Sequence, residues 1–150
     1  MVWTPPLTNR TGAPGEYYEW VDYQRARSNI IHVATEELPV LGFPVSLETM
    51  PQVTIFTEQF LDTINILERN LNVLGASGLP LPGDWEPNYP HWTSSMFDRT
   101  VNFTDMNRWE RNPLILHMLF ERLTKSFFTL IAGTCYAGDN KTTQRFSRGR

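Results

Sequence analysis

Cysteine is almost missing from this sequence. Cys135 is the one thiol in 150 residues, which excludes an internal disulfide and a cysteine-built zinc centre. Histidine is scarce as well. His32, His91 and His117 show no H-x-x-x-H or H-E-x-x-H spacing, so they read as isolated side chains, and no metal site is expected. No apolar run approaches the roughly 20 residues of a membrane span, and the opening "MVWTPPLTNR" lacks the apolar stretch of a signal peptide. Cytoplasmic synthesis of a soluble chain with no membrane partner is the expectation. Neither sign of charge dominates: a net charge of −3 gives no general pull toward nucleic acid or anionic lipid. Nucleophile-elbow, P-loop and dinucleotide-binding glycine patterns are also missing, and "GASG" at 75–78 lacks the Lys and the glycine spacing to cradle phosphate. No cofactor is expected.

Proline and aromatic residues are plentiful instead, with eleven Pro, five Trp and nine Phe. The length suits one domain, 1–150, able to bury roughly 70% of its unfolded surface. One polar frame recurs along it: "QRARSNIIHV" at 24–33, "NILERNLNVL" at 65–74 and "NRWERNPL" at 107–114. Setting Gln24, Asn65 and Asn107 in register gives spacings of 41 and 42 residues, the range of a repeated structural unit. An apolar or aromatic residue precedes each frame (Trp20, Leu61, Phe103). Further upstream come Trp3, Phe43 and Trp85, each beside prolines. The chain therefore reads as three degenerate arm-plus-helix units, about 1–38, 43–78 and 85–130, with a C-terminal arm over 131–150.

Apolar periodicity supports a helix in each unit. Phe60, Ile64, Leu67, Leu71 and Leu74 form one stripe, with Thr57 as N-cap, Glu58 in the first turn and Gly75 and Gly78 as stop signals. Tyr23, Ala26, Ile30 and Val33 form a second, in a helix that must end by Leu38 because Pro39 follows. Met106, Trp109, Leu116, Leu119, Phe120 and Leu123 form the third and longest, with Thr104 as cap. Pro113 falls inside it, and a kink is preferred to a break because the stripe continues. The segment carrying Trp85, Tyr89 and Trp92 is too aromatic for a solvated linker and reads as an ordered strap. "FFTLIAGTCYAGDN" suggests a short extended element. The expected fold is all-α: three main helices, long ordered Pro- and aromatic-rich connecting segments, and a small extended C-terminal element.

Few residues carry chemistry. Glu68 and Glu110 occupy equivalent places and could serve as a glycosidase-like acid pair, but each stands beside an Arg at the edge of a stripe, where a structural role fits better. Asn29, Asn70 and Asn112 also recur. A carboxamide offers two donors and an acceptor, which suits tying down a passing strap. The basic tail, with Arg145, Phe146 and Arg148, is a weak case for nucleic acid and fits an acidic groove on a neighbour equally well. A DNA-binding helix would have to be "QRARSN", which is followed five residues later by the acidic "TEEL".

The stretches "WTPPLTNRTGAPGEYYEWVDYQRARSNIIHV" and "VNFTDMNRWERNPLILHML" resemble a pattern met in small virion-associated proteins of tailed phages and prophages of Gram-positive bacteria. There a Trp-Pro opening leads to an aromatic residue, a short polar stretch, Asp-Leu-Asn-Arg-Ile-Glu-x-Asn-Ile and a leucine-rich helix. Asp105, Met106, Asn107, Arg108, Trp109, Glu110 and Asn112 match best. The second copy keeps Asn65, Glu68 and Asn70. The first keeps Asp22, Arg25 and Asn29 but has Arg27 where the Glu belongs. "AGTCYAGDN" is similar to a Ser-Gly-Glu-x-Tyr-x-Gly-Glu ending, with Thr134 and Asp139 in place of the glutamates. The resemblance implies a structural role in a tail, baseplate or fibre attachment, with no catalytic residues to carry over. Departures at Arg27 and Pro113 bear on how the first and third helices pack. The expected function is thus a virion component at the tail tip, baseplate or fibre base, packing against itself and other virion proteins. Trp3, Trp85, Trp92, Tyr136, Arg145, Phe146 and Arg148 are its candidate interface residues. A capsid or neck location, or a small cell-wall hydrolase using Glu68 and Glu110, are the alternatives.

Overall fold

In the computed structural model of the chain, residues 2–16, 19–54, 60–87, 92–93 and 101–139 are described, with backbone alone for Phe60 and 128–139. Three helices form, and no strand occurs among the described residues: α1 is Trp20–His32, α2 is Phe60–Gly75 and α3 is Phe103–Asp139. The chain divides into two compact units, Met1–His117 and Met118–Arg150.

Helix α1 starts where the Asp22 carboxylate reaches back three residues to accept the Glu19 N–H at 3.0 Å, satisfying a donor that a helix start leaves open. It buries Tyr23, Ala26 and Ile30. At its end the backbone widens into a single π turn, Val33–Glu37, closed by the Leu38 N–H donating to the Val33 carbonyl at 2.9 Å; the sequence pattern gives no sign of it. Helix α2 carries the cleanest stripe, with Ile64, Leu67, Leu71 and Leu74 all fully buried. The expected cap Thr57 and the first-turn Glu58 lie outside the described residues. Just past α2 the backbone of Gly78 turns to φ +89° beside the Phe43 ring, a conformation open to glycine at little cost.

Helix α3 departs from expectation in two ways. Its cap is Asn102, not Thr104: the Asn102 Oδ1 accepts the N–H groups of Thr104 and Asp105 at 2.9 and 3.2 Å, while Asp105 accepts the Asn102 N–H at 3.3 Å. Thr104 sits one position inside the helix, where its own N–H needs an acceptor. In keeping with the preference against a break, the helix runs through Pro113 without ending. It also continues to Asp139, so the extended element expected in "FFTLIAGTCYAGDN" is helical instead. Extending an existing helix costs no new nucleus, which lets it absorb glycines and β-branched residues that would not start one.

Within the first unit the arms are held by side-chain amides. The Asn29 Oδ1 accepts the Thr4 N–H at 3.0 Å, and its Nδ2 donates to the Thr4 carbonyl at 2.8 Å. Asn70 does the same to Glu48 (2.8 and 2.9 Å), and Asn112 to Glu86 (3.2 and 2.8 Å). A carboxamide has the donor–acceptor pair of a peptide group, so it pairs with one arm residue much as a neighbouring strand would. The frame's first position does this too. Asn107 clamps Arg10 (3.0 and 2.8 Å), Asn65 clamps Trp92 (2.8 and 2.9 Å), and Gln24 donates to the Val53 carbonyl at 2.7 Å. Tyr23 and Arg27 add donors to the same arm, at Pro51 (3.2 Å) and Met50 (2.9 Å).

A cyclic order results. The first arm starts on α1 and ends on α3, the second starts on α2 and ends on α1, and the third starts on α3 and ends on α2. The clamped residues Thr4, Glu48 and Glu86 also set the register of the arms. Leu47, not Phe43, is the counterpart of Trp3 and Trp85. The second arm is longer between its aromatic residue and its clamp, which shifted the alignment read from the sequence.

Asn70→Ala removes both bonds to Glu48, with an expected cost of about 2–3 kcal/mol. Asn70→Asp keeps the acceptor but brings a carboxylate to the Glu48 carbonyl, and should be no better. Urea midpoints at neutral pH check both.

Candidate functional site

The polar frame also builds the joints between helices. Glu110 on α3 accepts Arg25 of α1 on Oε1 (2.7 Å from Nε, 2.6 Å from Nη2) and the Leu7 N–H on Oε2 at 3.3 Å. Arg25 is steadied by Asp22 of its own helix at 2.6 Å, and Asp22 also takes Arg10 from the first arm. The second joint has the same design. Arg108 of α3 grips both oxygens of Glu68 on α2, at 2.5 and 3.0 Å, with Asp105 behind it at 3.5 Å. The indole N–H of Trp109 donates to Glu68 Oε1 at 2.8 Å, and that of Trp92 approaches the same oxygen at 3.5 Å. The pattern is therefore Asp-x-x-Arg on one helix meeting the frame Glu on another.

At the third joint, between α2 and α1, all of these residues are replaced at once. Thr63 stands for the Asp, Ile66 for the Arg, and Arg27 for the Glu. A lone Arg or Glu in such a place would be a buried charge without its counterpart, costing about 3–5 kcal/mol. Joint replacement avoids this, and Arg27 turns to the Met50 carbonyl instead. Outer ion pairs follow the same rule. Arg69 pairs with Glu48 and Arg111 with Glu86, whereas the first unit has Ser28 and Thr4.

Burial shapes the titration of these carboxylates. It pushes the Glu110 carboxyl above its ordinary value, with the Arg25 guanidinium pulling the other way. Burial also pushes Asp22 up, but the Glu19 N–H, Arg25 and Arg10 outweigh it and hold Asp22 below its ordinary value. Tyr23, buried against the second arm, is pushed up to about 12.

Beside each clamp an arm residue lies toward the next helix of the cycle. Trp3 stacks on the His117 ring, centroids 4.0 Å apart and planes 16° apart. Trp85 lies on Gly75, where an added Cβ would stand 3.0 Å from the indole. Leu47 is smaller, and a cleft of about 330 Å³ opens there, lined by Leu47, Ala34, Ile31 and Met50. The Trp3 corner is the polar one. Glu37 Oε1 is hydrogen-bonded to His117 Nδ1 and lies 3.1 Å from His32 Nε2. The reading of the histidines as isolated is thus corrected for His32 and His117, which the tertiary fold brings together across 85 positions. His91 lies outside the described residues.

The sequence-expected residues divide clearly. Asn29, Asn70 and Asn112 hold arms, and Glu68 and Glu110 hold arginines. Trp92 is 4% exposed, so its role as an interface residue is corrected: Asn65 clamps its backbone and its ring fills the core. Trp3 and Trp85 are half-buried, turned onto His117 and Gly75. Tyr136 lies on α3, but its side chain falls outside the described residues, as do Arg145, Phe146 and Arg148. Sequence reading passed over Asn65, Asn107 and Gln24 as clamps, although they define the repeat register. It also missed Glu37, for which the sequence carries no signal, because the π turn that places it is not legible there. Comparison of the chain with family models, with curated proteins and with solved structures finds no match.

The two perturbed carboxyls act in opposite senses. Asp22, lowered in the folded state, contributes stability above its unfolded pKa near 4 and loses it as pH falls through the folded pKa. Glu110, raised, favours folding below its unfolded pKa and loses that contribution as pH rises through the folded one. Asp22→Asn should therefore cost most near pH 7, and its deficit against the wild type should narrow below about pH 4. Urea unfolding of both proteins at pH 7, 5 and 3.5 measures this.

Proposed function

We propose that this protein is a structural component of a phage virion, at the tail tip, baseplate or fibre base, working by packing against copies of itself and neighbouring virion proteins. The observation that carries the reading is the use of the frame's buried charged and amide groups in joints between helices and arms. Each oxygen of Glu110 is engaged by Arg25 or Leu7, and each oxygen of Glu68 by Arg108. A glycosidase acid must give a proton to its substrate, and neither group is placed to do so. The resemblance to virion-associated proteins supports the same reading.

The second unit offers the surface for self-association. Along α3 the stripe Leu119, Phe120, Leu123, Phe127 keeps the spacing of a helix-packing seam, and Leu123 and Phe127 are 42% and 62% exposed. A second copy of the same helix is the occupant that would bury like against like. Phe127→Glu and Leu123→Glu should lower the mass measured by light scattering to that of one chain while helix content is kept.

Peptide mass spectrometry on purified particles tests the location. Stoichiometric peptides in intact virions but not in tailless ones are expected. Peptides that follow the heads would move the protein to capsid or neck. Absence from every particle would sink the structural reading.

A further inference from the structure

We propose that His32, Glu37 and His117 form a binding site for a divalent transition-metal ion of the zinc class. This goes beyond the structural role and does not depend on it. The three side chains offer two imidazole nitrogens and a carboxylate oxygen, and these ligand atoms all lie within 4.8 Å of one another. Ligand atoms held about 2.0–2.2 Å from zinc stand roughly 3.3–3.5 Å apart, so small side-chain rotations close the set. Two histidines and a carboxylate suit zinc and similar borderline ions, with a further position left to water.

The backbone is built for this convergence. In an α-helix residues five apart point about 140° away from each other round the axis. The π turn bonds i to i+5 and brings His32 and Glu37 onto one face; such turns often mark functional sites. His117 arrives from α3, its ring held flat under the Trp3 indole, which hangs from the Asn29 clamp through Thr4.

Two observations separate this corner from a mere hydrogen-bonded cluster. First, Glu37 is buried to 2% exposure, and its Oε2 is a buried oxygen with no hydrogen-bond partner. An unsatisfied carboxylate oxygen is costly in such a place, and a cation supplies what it lacks. Second, the fold does not need polar residues here. By the repeat register, the positions of His32 and His117 are Val73 and Ala34 at the second corner and Ile115 and Gly75 at the third. Both histidines keep 18–19% of their side chains exposed, enough for an ion to reach them.

The test is calorimetric titration of Zn²⁺ into the full chain after chelator treatment. One ion per chain is expected, with affinity falling at least tenfold in each of His32→Ala, Glu37→Gln and His117→Ala, and unchanged in Cys135→Ser. Saturating ion should raise the wild-type Tm by roughly 5–10 °C. Co²⁺ in place of Zn²⁺ should give visible d–d absorption without a thiolate charge-transfer band in the near ultraviolet. That spectrum, read on the wild type, decides the matter if a variant fails to fold. Absence of stoichiometric binding, binding that survives all three substitutions, or dependence on Cys135 would overturn the proposal.

Discussion

The first unit rests on one interaction, the pairing of an asparagine carboxamide with both backbone polar groups of a single arm residue. Arms such as "WTPPL" cannot satisfy themselves, because proline removes donors and no partner strand lies alongside. A helix can serve as that partner only through a side chain that presents a donor and an acceptor at peptide spacing. Asn does so with little side-chain entropy to lose; Asp lacks the donor, and Leu lacks both. The clamp therefore explains why the chain writes its polar frame three times, and why the amide stands at both ends of the frame. With two amides five residues apart, each helix holds the start of one arm and the end of another, which locks the three units in a closed cycle.

The ionic joints follow from that cycle. Once arms separate the helices, side chains must span the gap, and a buried Arg–carboxylate fork reaches further than apolar packing can. Such pairs are weak evidence of net stability but strong constraints on partners, since losing one member strands the other. The third joint shows this constraint. Thr63, Ile66 and Arg27 depart from the pattern together, as a set in which no charge faces an empty place. Arg27 had marked the first frame as the poorest match, and the joint gives the departure a physical cause.

The cycle is broken again at its corners, and there chemistry beyond packing can enter. Trp85 on Gly75 is a tight aromatic joint, Leu47 beside Ala34 leaves a cleft, and Trp3 covers the pair of histidines on Glu37. A shared framework with unlike corners is economical: the clamps set position, and the corner residues are free to differ. Self-association is proposed at the exposed apolar positions of α3 in the second unit, Leu123 and Phe127.

Much of this was legible from residue order alone. Helix stripes at steps of three and four, the stop before Pro39 and the recurrence of the frame at 41 and 42 residues are local patterns, and local patterns survive in one dimension. The amide role of Asn29, Asn70 and Asn112 could be argued because a carboxamide beside an apolar stripe has few other uses. The Asn102 cap was hidden by a neighbouring Thr of similar propensity, and the helical end of α3 by residues whose β preference yields to an existing helix. What residue order could not decide was pairing. Which Arg meets which Glu, that Trp92 turns inward, and that His32 and His117 share Glu37 all depend on the cyclic order of the arms and on one π turn. Apart from the turn that joins His32 to Glu37, these are relations across 24 to 85 residues, fixed by the closed tertiary arrangement, and no local spacing encodes them.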